Sequence, residues 1–283
     1  MLKIGEINKL VVKRKTDIGY MLIDSEENEV FLHNNETNHK KLDDGDEVDA
    51  FLYHDFKGRV AATLSKPYLC VPTPGFLSVK DVNSNLGVFL DNGISKDLLL
   101  SNEDLPSSLS LWPKVGDRLY VYLKVKGKLV AKLASKMDVK LTTEETLALN
   151  SKHEAHVFKI TKEGINLITE QGHLIFVYKL HMRKEYRLGE RVEVKIVNIN
   201  EFGYNGSLIE NKEEQLHDDA NEILSYLIKH DGIMSLTASS SSEEVAVIFK
   251  LSKKAFKRGL GNLYSQRIVD FKDDKTILIK KEK

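Results

Sequence analysis

Five aromatic side chains stand where an alternating strand turns them away from its buried face. In Val30-Phe31-Leu32-His33, Val30 and Leu32 point one way and Phe31 and His33 the other. Ile175-Phe176-Val177-Tyr178 repeats the arrangement, with Phe176 and Tyr178 outward, and Phe89 lies between Val88 and Leu90 in the same sense. Tyr20 is taken as the counterpart of Phe89 in an earlier copy, one residue out of step. A ring held outward offers a flat apolar face to another flat group. On a small barrel, such rings stack the bases of a single-stranded nucleic acid. The same rings would also seal one domain against the next.

Cations gather in two places. Arg183, Lys184, Arg187 and Arg191 share one short segment beside Phe176 and Tyr178, a candidate phosphate clamp or, alternatively, an interdomain contact. Lys253, Lys254, Lys257 and Arg258 fall on the helix face opposite Phe256 and Leu260. Catalytic signatures are missing. The chain has no G-x-x-x-x-G-K-[ST], G-x-G-x-x-G, H-E-x-x-H or G-x-S-x-G segment. His153 and His156 are spaced i, i+3 without a carboxylate cluster nearby, which is weak support for a metal. No catalytic residue, metal or cofactor is expected.

The elements that would carry these residues repeat. Gly45, Gly116 and Gly189 each precede an acid, an alternating strand, a short polar turn and a second strand. Each copy follows two shorter strand candidates, which suits a barrel of about five strands. After Asn211 the period becomes helical: Leu216, Ala220, Ile223, Leu224 and Leu227 share a face and Gly232 ends it. Ser241 with Glu244 forms a capping box for a second helix to Phe249, and Ser252 caps a third beginning at Lys253. IVDF and TILIK around a KDDK turn read as a hairpin. The expected fold is mainly β with an α+β end: oligonucleotide-binding barrels over 1–66, 67–138 and 139–213, then a winged helix over 214–283.

NLGVFLDNG resembles the S1-type RNA-binding barrel. The stretches LGVFLDNG at 86–93, SLWPKVGD at 110–117, RLGE at 187–190 and LSKKAFKRGLGNLY at 251–264 resemble the conserved virulence factor B (CvfB) family of Gram-positive bacteria. The resemblance covers nearly the whole chain. It implies three S1-like barrels, a winged helix, RNA binding and an influence on virulence-related gene expression. The S1 pattern has a histidine on its third strand; His33 matches, Tyr178 replaces it, and Leu99-Leu100-Ser101 has no ring, which puts the middle barrel's RNA face in doubt.

Charge is balanced overall, 42 basic against 42 acidic residues, so the chain does not simply coat a polyanion. Residues 1–66 carry 10 basic and 13 acidic residues, and the other three segments are near neutral. Repulsion from phosphate should weaken the first barrel, so most affinity is expected in the third barrel and winged helix. One cysteine, Cys70, excludes an internal disulfide and suits a cytoplasmic protein. The opening MLKIGEINKL does not read as a signal peptide, and no apolar run is long enough to span a membrane. The reading is a non-catalytic regulator binding single-stranded RNA through Tyr20, Phe31, His33, Phe89, Phe176, Tyr178 and the two basic clusters. The alternatives are a DNA-binding regulator led by the winged helix, or a scaffold on the ribosome or RNA-processing machinery.

Overall fold

The computed structural model describes residues 1–201, 203–209 and 212–279, without the side chains of 212–218. It divides into two compact units, Met1–Leu208 and Ile209–Lys283.

The first unit holds three closed five-stranded barrels of one topology. Barrel 1 uses β1 (Ile7–Thr16), β2 (Gly19–Ile23), β3 (Glu29–His33), β4 (Glu47–His54) and β5 (Val60–Thr63). Barrel 2 uses β6 (Gly75–Asn83), β7 (Gly87–Asp91), β8 (Leu98–Ser101), β9 (Arg118–Lys126) and β10 (Lys128–Leu133). Barrel 3 uses β11 (Lys152–Ile160), β12 (Gly164–Ile168), β13 (Leu174–Tyr178), β14 (Arg191–Asn200) and β15 (Gly203–Ser207). In each, the first three strands form a meander, the fifth pairs parallel to the third, and the fourth closes onto the first. That closure leaves no free sheet edge.

Repeated local chemistry builds the repeated fold. The Gly-acid turns have Gly45, Gly116 and Gly189 at φ of +91°, +90° and +77°, a region in which side chains are strained. The acid then locks the turn: Asp46, Asp117 and Glu190 each accept the backbone N–H three residues earlier, at 2.8, 2.7 and 3.0 Å. A second glycine opens the second strand of every barrel. A Cβ on Gly19, Gly87 or Gly164 would collide with the backbone carbonyl oxygen of Leu32, Leu100 or Val177 on the third strand. Close packing of these two strands therefore requires glycine.

The barrels pack through their own outward residues. Phe51 and Tyr53 of β4 are buried in the cluster that includes Leu77, Leu119 and Leu129 of barrel 2. Phe158 of β11 is buried with Ile168 and Ala134 against Phe76, Tyr120 and Tyr122 of barrel 2. Rings sealing neighbouring barrels are thus real, but these are not the rings singled out from the sequence.

The second unit has α1 (Lys212–Lys229), β16 (Ile233–Met234), α2 (Ser242–Phe249), α3 (Lys253–Ser265), β17 (Val269–Lys272) and β18 (Lys275–Leu278). Ala220, Ile223 and Leu227 of α1 meet Phe256, Leu260 and Leu263 of α3 in one core; the side chain of Leu216 lies outside the described residues. Ser241 and Glu244 form the expected capping box, and Ser252 accepts from the Ala255 N–H at 3.2 Å. The hairpin gains a third strand, β16, too short for periodicity to reveal. Three helices and this sheet make a winged helix. Among the described residues no helix is long and apolar enough to cross a membrane.

Candidate nucleic-acid interface

Backbone register places equivalent residues of the three barrels on one outer row. In every barrel the first strand shifts register just before this row, at Val12/Arg14, Val79/Asp81 and Val157/Lys159. The extra residue re-aims the strand. In barrel 1, Arg14 lies opposite Met21, Met21 opposite Phe31, and Phe31 beside Ala61. In barrel 3, Lys159 lies opposite Asn166, Asn166 opposite Phe176, and Phe176 beside Asn205, which faces Asn198. In barrel 2, Asp81 lies opposite Phe89 and Phe89 opposite Leu99.

The rows of barrels 1 and 3 share a cation, a ring on the third strand and a second ring two residues on. Phe31 and His33 meet edge to face at 6.2 Å, and Phe176 and Tyr178 at 4.7 Å. Phe31 and Phe176 are half-buried, His33 is exposed and Tyr178 is 45% exposed. His33 and Tyr178 face Gly19 and Gly164, so no side chain stands opposite either ring. Barrel 3 adds the amides of exposed Asn198 and half-buried Asn205, which can donate to and accept from base edges, while Asn166 is buried. Sequence reading passed over Arg14, Met21, Lys159 and these amides, because they sit beyond a bulge or in segments that read as polar turns.

Tyr20 does not belong to this face. It is 5% exposed and packs in the barrel 1 core, paired across the strands with Leu32. Counting from the strand-opening glycine makes Met21 the counterpart of Phe89. Phe89 itself is outward and half-buried. No ring accompanies it on β8, as the sequence indicated.

The barrel 3 loop cations are largely committed to ion pairs. Arg187 reaches across to barrel 2 and donates twice to Asp117, at 2.9 and 3.0 Å, and also lies 3.2 Å from Glu190. Donating these hydrogen bonds to Asp117 favours the charged guanidinium and raises the Arg187 pKa. Lys184 is 2.7 Å from Glu190 and stands over the Tyr186 ring, and Arg191 pairs with Glu154. Arg187 is therefore an inter-barrel tie rather than a phosphate clamp: the bond joins the two Gly-acid turns, and the Arg118 N–H donates to the Gly189 carbonyl beside it. Arg183 is exposed in the same loop.

On α3, Lys254, Lys257 and Arg258 are exposed and Lys253 half-buried. Arg258 lies 3.9 Å from buried Asp219, and Lys253 donates to the Ser239 carbonyl at 3.4 Å. Lys254 and Lys257 stand clear on the helix. Among the described residues no three His, Cys, Asp or Glu side chains converge as a metal site.

Three family models match. Residues 4–65 match the S1 domain, 75–131 the CvfB first S1-like domain and 221–278 the CvfB-like winged helix domain. The chain is 34% identical over 264 residues to the uncharacterized protein YitL of Bacillus subtilis, covering 92% of this chain and 88% of that one. It is 32% identical over 285 residues to conserved virulence factor B of Staphylococcus aureus, covering 98% and 95%. Among solved structures it is similar to a multidomain protein with nucleic acid binding domains from Streptococcus pneumoniae, at 27% identity, a TM-score of 0.63 and 98% coverage of both chains.

Proposed function

The chain belongs to the conserved virulence factor B family, and from that premise we propose that it is a non-catalytic regulator of gene expression that binds single-stranded RNA. The strand lies along the outer rows of barrels 1 and 3, and Lys254 and Lys257 give the winged helix a phosphate-binding face of its own.

One observation carries the reading: two barrels present the same combination at the same register, Arg14 with Phe31 and His33, and Lys159 with Phe176 and Tyr178. Stacking is sequence-tolerant because every base has a flat face, and each stacked base contributes about 1–3 kcal/mol. The amides of barrel 3 suit unpaired bases, whose edges are open. Two weak sites joined in one folded unit bind one strand tightly, since the second event is intramolecular. The regulatory role rests on the family name of the relatives.

The exposed lysines of α3 favour a second reading, duplex DNA held by the winged helix. Competition separates the two. Labelled single-stranded RNA should be displaced by unlabelled RNA and resist an equal concentration of duplex DNA; displacement by the duplex instead would favour the second reading. No hydrolysis of RNA, DNA or nucleotides is expected in magnesium, manganese or zinc, and turnover abolished by changing one acid would overturn that.

A further inference from the structure

The middle barrel departs from its neighbours, and the departure forms a cleft. Its row carries Asp81 where the others carry Arg14 and Lys159, and apolar Leu99 where they carry rings. The hairpin between β4 and β5 of barrel 1 overhangs this row. Asp55 holds the hairpin by accepting the N–H groups of Lys57 and Arg59 at 2.8 and 2.9 Å. Lys96 of barrel 2 anchors it, donating to the carbonyls of His54 and Asp55. This ordered hairpin leaves the Phe56 ring 87% exposed. Phe56, Phe89, Leu99, Asp81 and Lys128 line one cleft of about 470 Å³.

An exposed ring, a second ring on the floor, a carboxylate and an ammonium are together the chemistry of a nucleotide site. Lys96 Nζ lies over the Phe56 ring, 5.5 Å from its centroid, and the ring remains 87% exposed. Asp81 accepts the Val82 N–H on one oxygen at 2.8 Å, and a carboxylate's roughly four lone-pair sites leave both oxygens able to accept again. The second acid of the cleft, Asp97, is neutralised by Lys80 at 3.0 Å. The Lys128 stem lies against Gly58 of the hairpin. Planar apolar surfaces suit a base, and a carboxylate accepts hydrogen bonds only. The one base edge with two adjacent donors is that of guanine, N1–H and N2–H, which fits a carboxylate in bidentate fashion. The basic neighbours in barrels 1 and 3 cannot accept from that edge.

We propose that the cleft between the barrel 1 hairpin and the barrel 2 face is a guanine-reading subsite: the base packs on Phe56 and Phe89, Asp81 accepts from its Watson–Crick edge, and Lys128 takes a neighbouring phosphate. The missing third-strand ring of barrel 2 is supplied by barrel 1. This rests on the RNA-binding reading above and makes it sequence-selective at one position.

The test uses the full chain and three short fluorescent RNAs: a mixed adenosine and uridine strand, the same strand with one central guanosine, and the same with inosine, which lacks the 2-amino group. The guanosine strand should bind roughly tenfold tighter than the mixed strand, as expected of one bidentate base contact. Inosine should lose most of that gain. Asp81→Asn should remove the guanosine preference, Phe56→Ala should weaken all three strands as expected of a lost stacking ring, and neither should change the melting temperature. No guanosine preference in the wild type, or a preference that survives Asp81→Asn, would overturn the subsite and leave the RNA-binding reading standing. Failure of the wild type to bind any of the three strands would overturn that reading and the subsite with it.

Discussion

Truncating Phe31 or Phe176 to alanine removes a stacking ring without opening a core, because both lie on the outer row. Each change should weaken single-stranded RNA binding by about 1–3 kcal/mol with little shift in melting, read by anisotropy and thermal denaturation in parallel. Arg187→Ala should do the reverse. It breaks a charge-assisted pair with Asp117 between barrels 2 and 3, a loss of about 1.5–3 kcal/mol of stability, and leaves the salt dependence of RNA binding unchanged. A salt slope lowered by about one would instead mean that Arg187 touches phosphate. His54 is a third case. Burial, then the Lys96 and Lys128 charges, lower its pKa below the ordinary 6.5, and its Nδ1 is buried without a partner. The folded state therefore holds fewer protons here than the unfolded one. Its contribution is complete above about pH 6.5 and is lost as pH falls below that value. Melting at pH 5.5 against 7.5 should show a smaller acid loss in His54→Leu than in the wild type; equal losses would place the acid sensitivity elsewhere.

The elements themselves were largely legible. Third-strand alternation at Val30–His33 and Ile175–Tyr178, the capping box at Ser241 and the turn glycines are local signals, and local chemistry decides them. Tyr20 failed because a bulge in β1 hides the strand count, and only the close approach at Gly19 fixes it. Asn198 and Asn205 fall in or beside the stretch read as a short polar turn, yet the strands run on because barrel closure pairs them. The Arg187–Asp117 pair joins residues far apart in sequence, which no local pattern reveals. Two glycine substitutions separate the structural roles. Gly164→Ala drives a Cβ into the Val177 carbonyl and should cost roughly 3 kcal/mol or more. Gly45→Ala meets open space and pays only for its positive φ, about 1 kcal/mol. Chemical denaturation of the two variants checks that order, and equal losses would contradict the packing argument.

At the scale of the molecule, charge and rings are distributed differently from what segment totals suggest. Barrel 1 is acidic in sum, yet its row carries Arg14, with Lys15 exposed beyond it on β1. Barrel 3 has more cations in its loop, and most are tied to Glu190, Glu154 or Asp117. The loop cations therefore lend less electrostatic support to the expectation that affinity concentrates in the third barrel and winged helix, and the paired rows of barrels 1 and 3 become the simpler account. The most direct test is a titration of one fluorescent single-stranded RNA with four full-length proteins: wild type, Phe31→Ala, Phe176→Ala and the double variant. If one strand spans both rows, each single change weakens binding and the double variant weakens it by at least the product of the two, with melting preserved. Undiminished binding by the double variant would contradict the account.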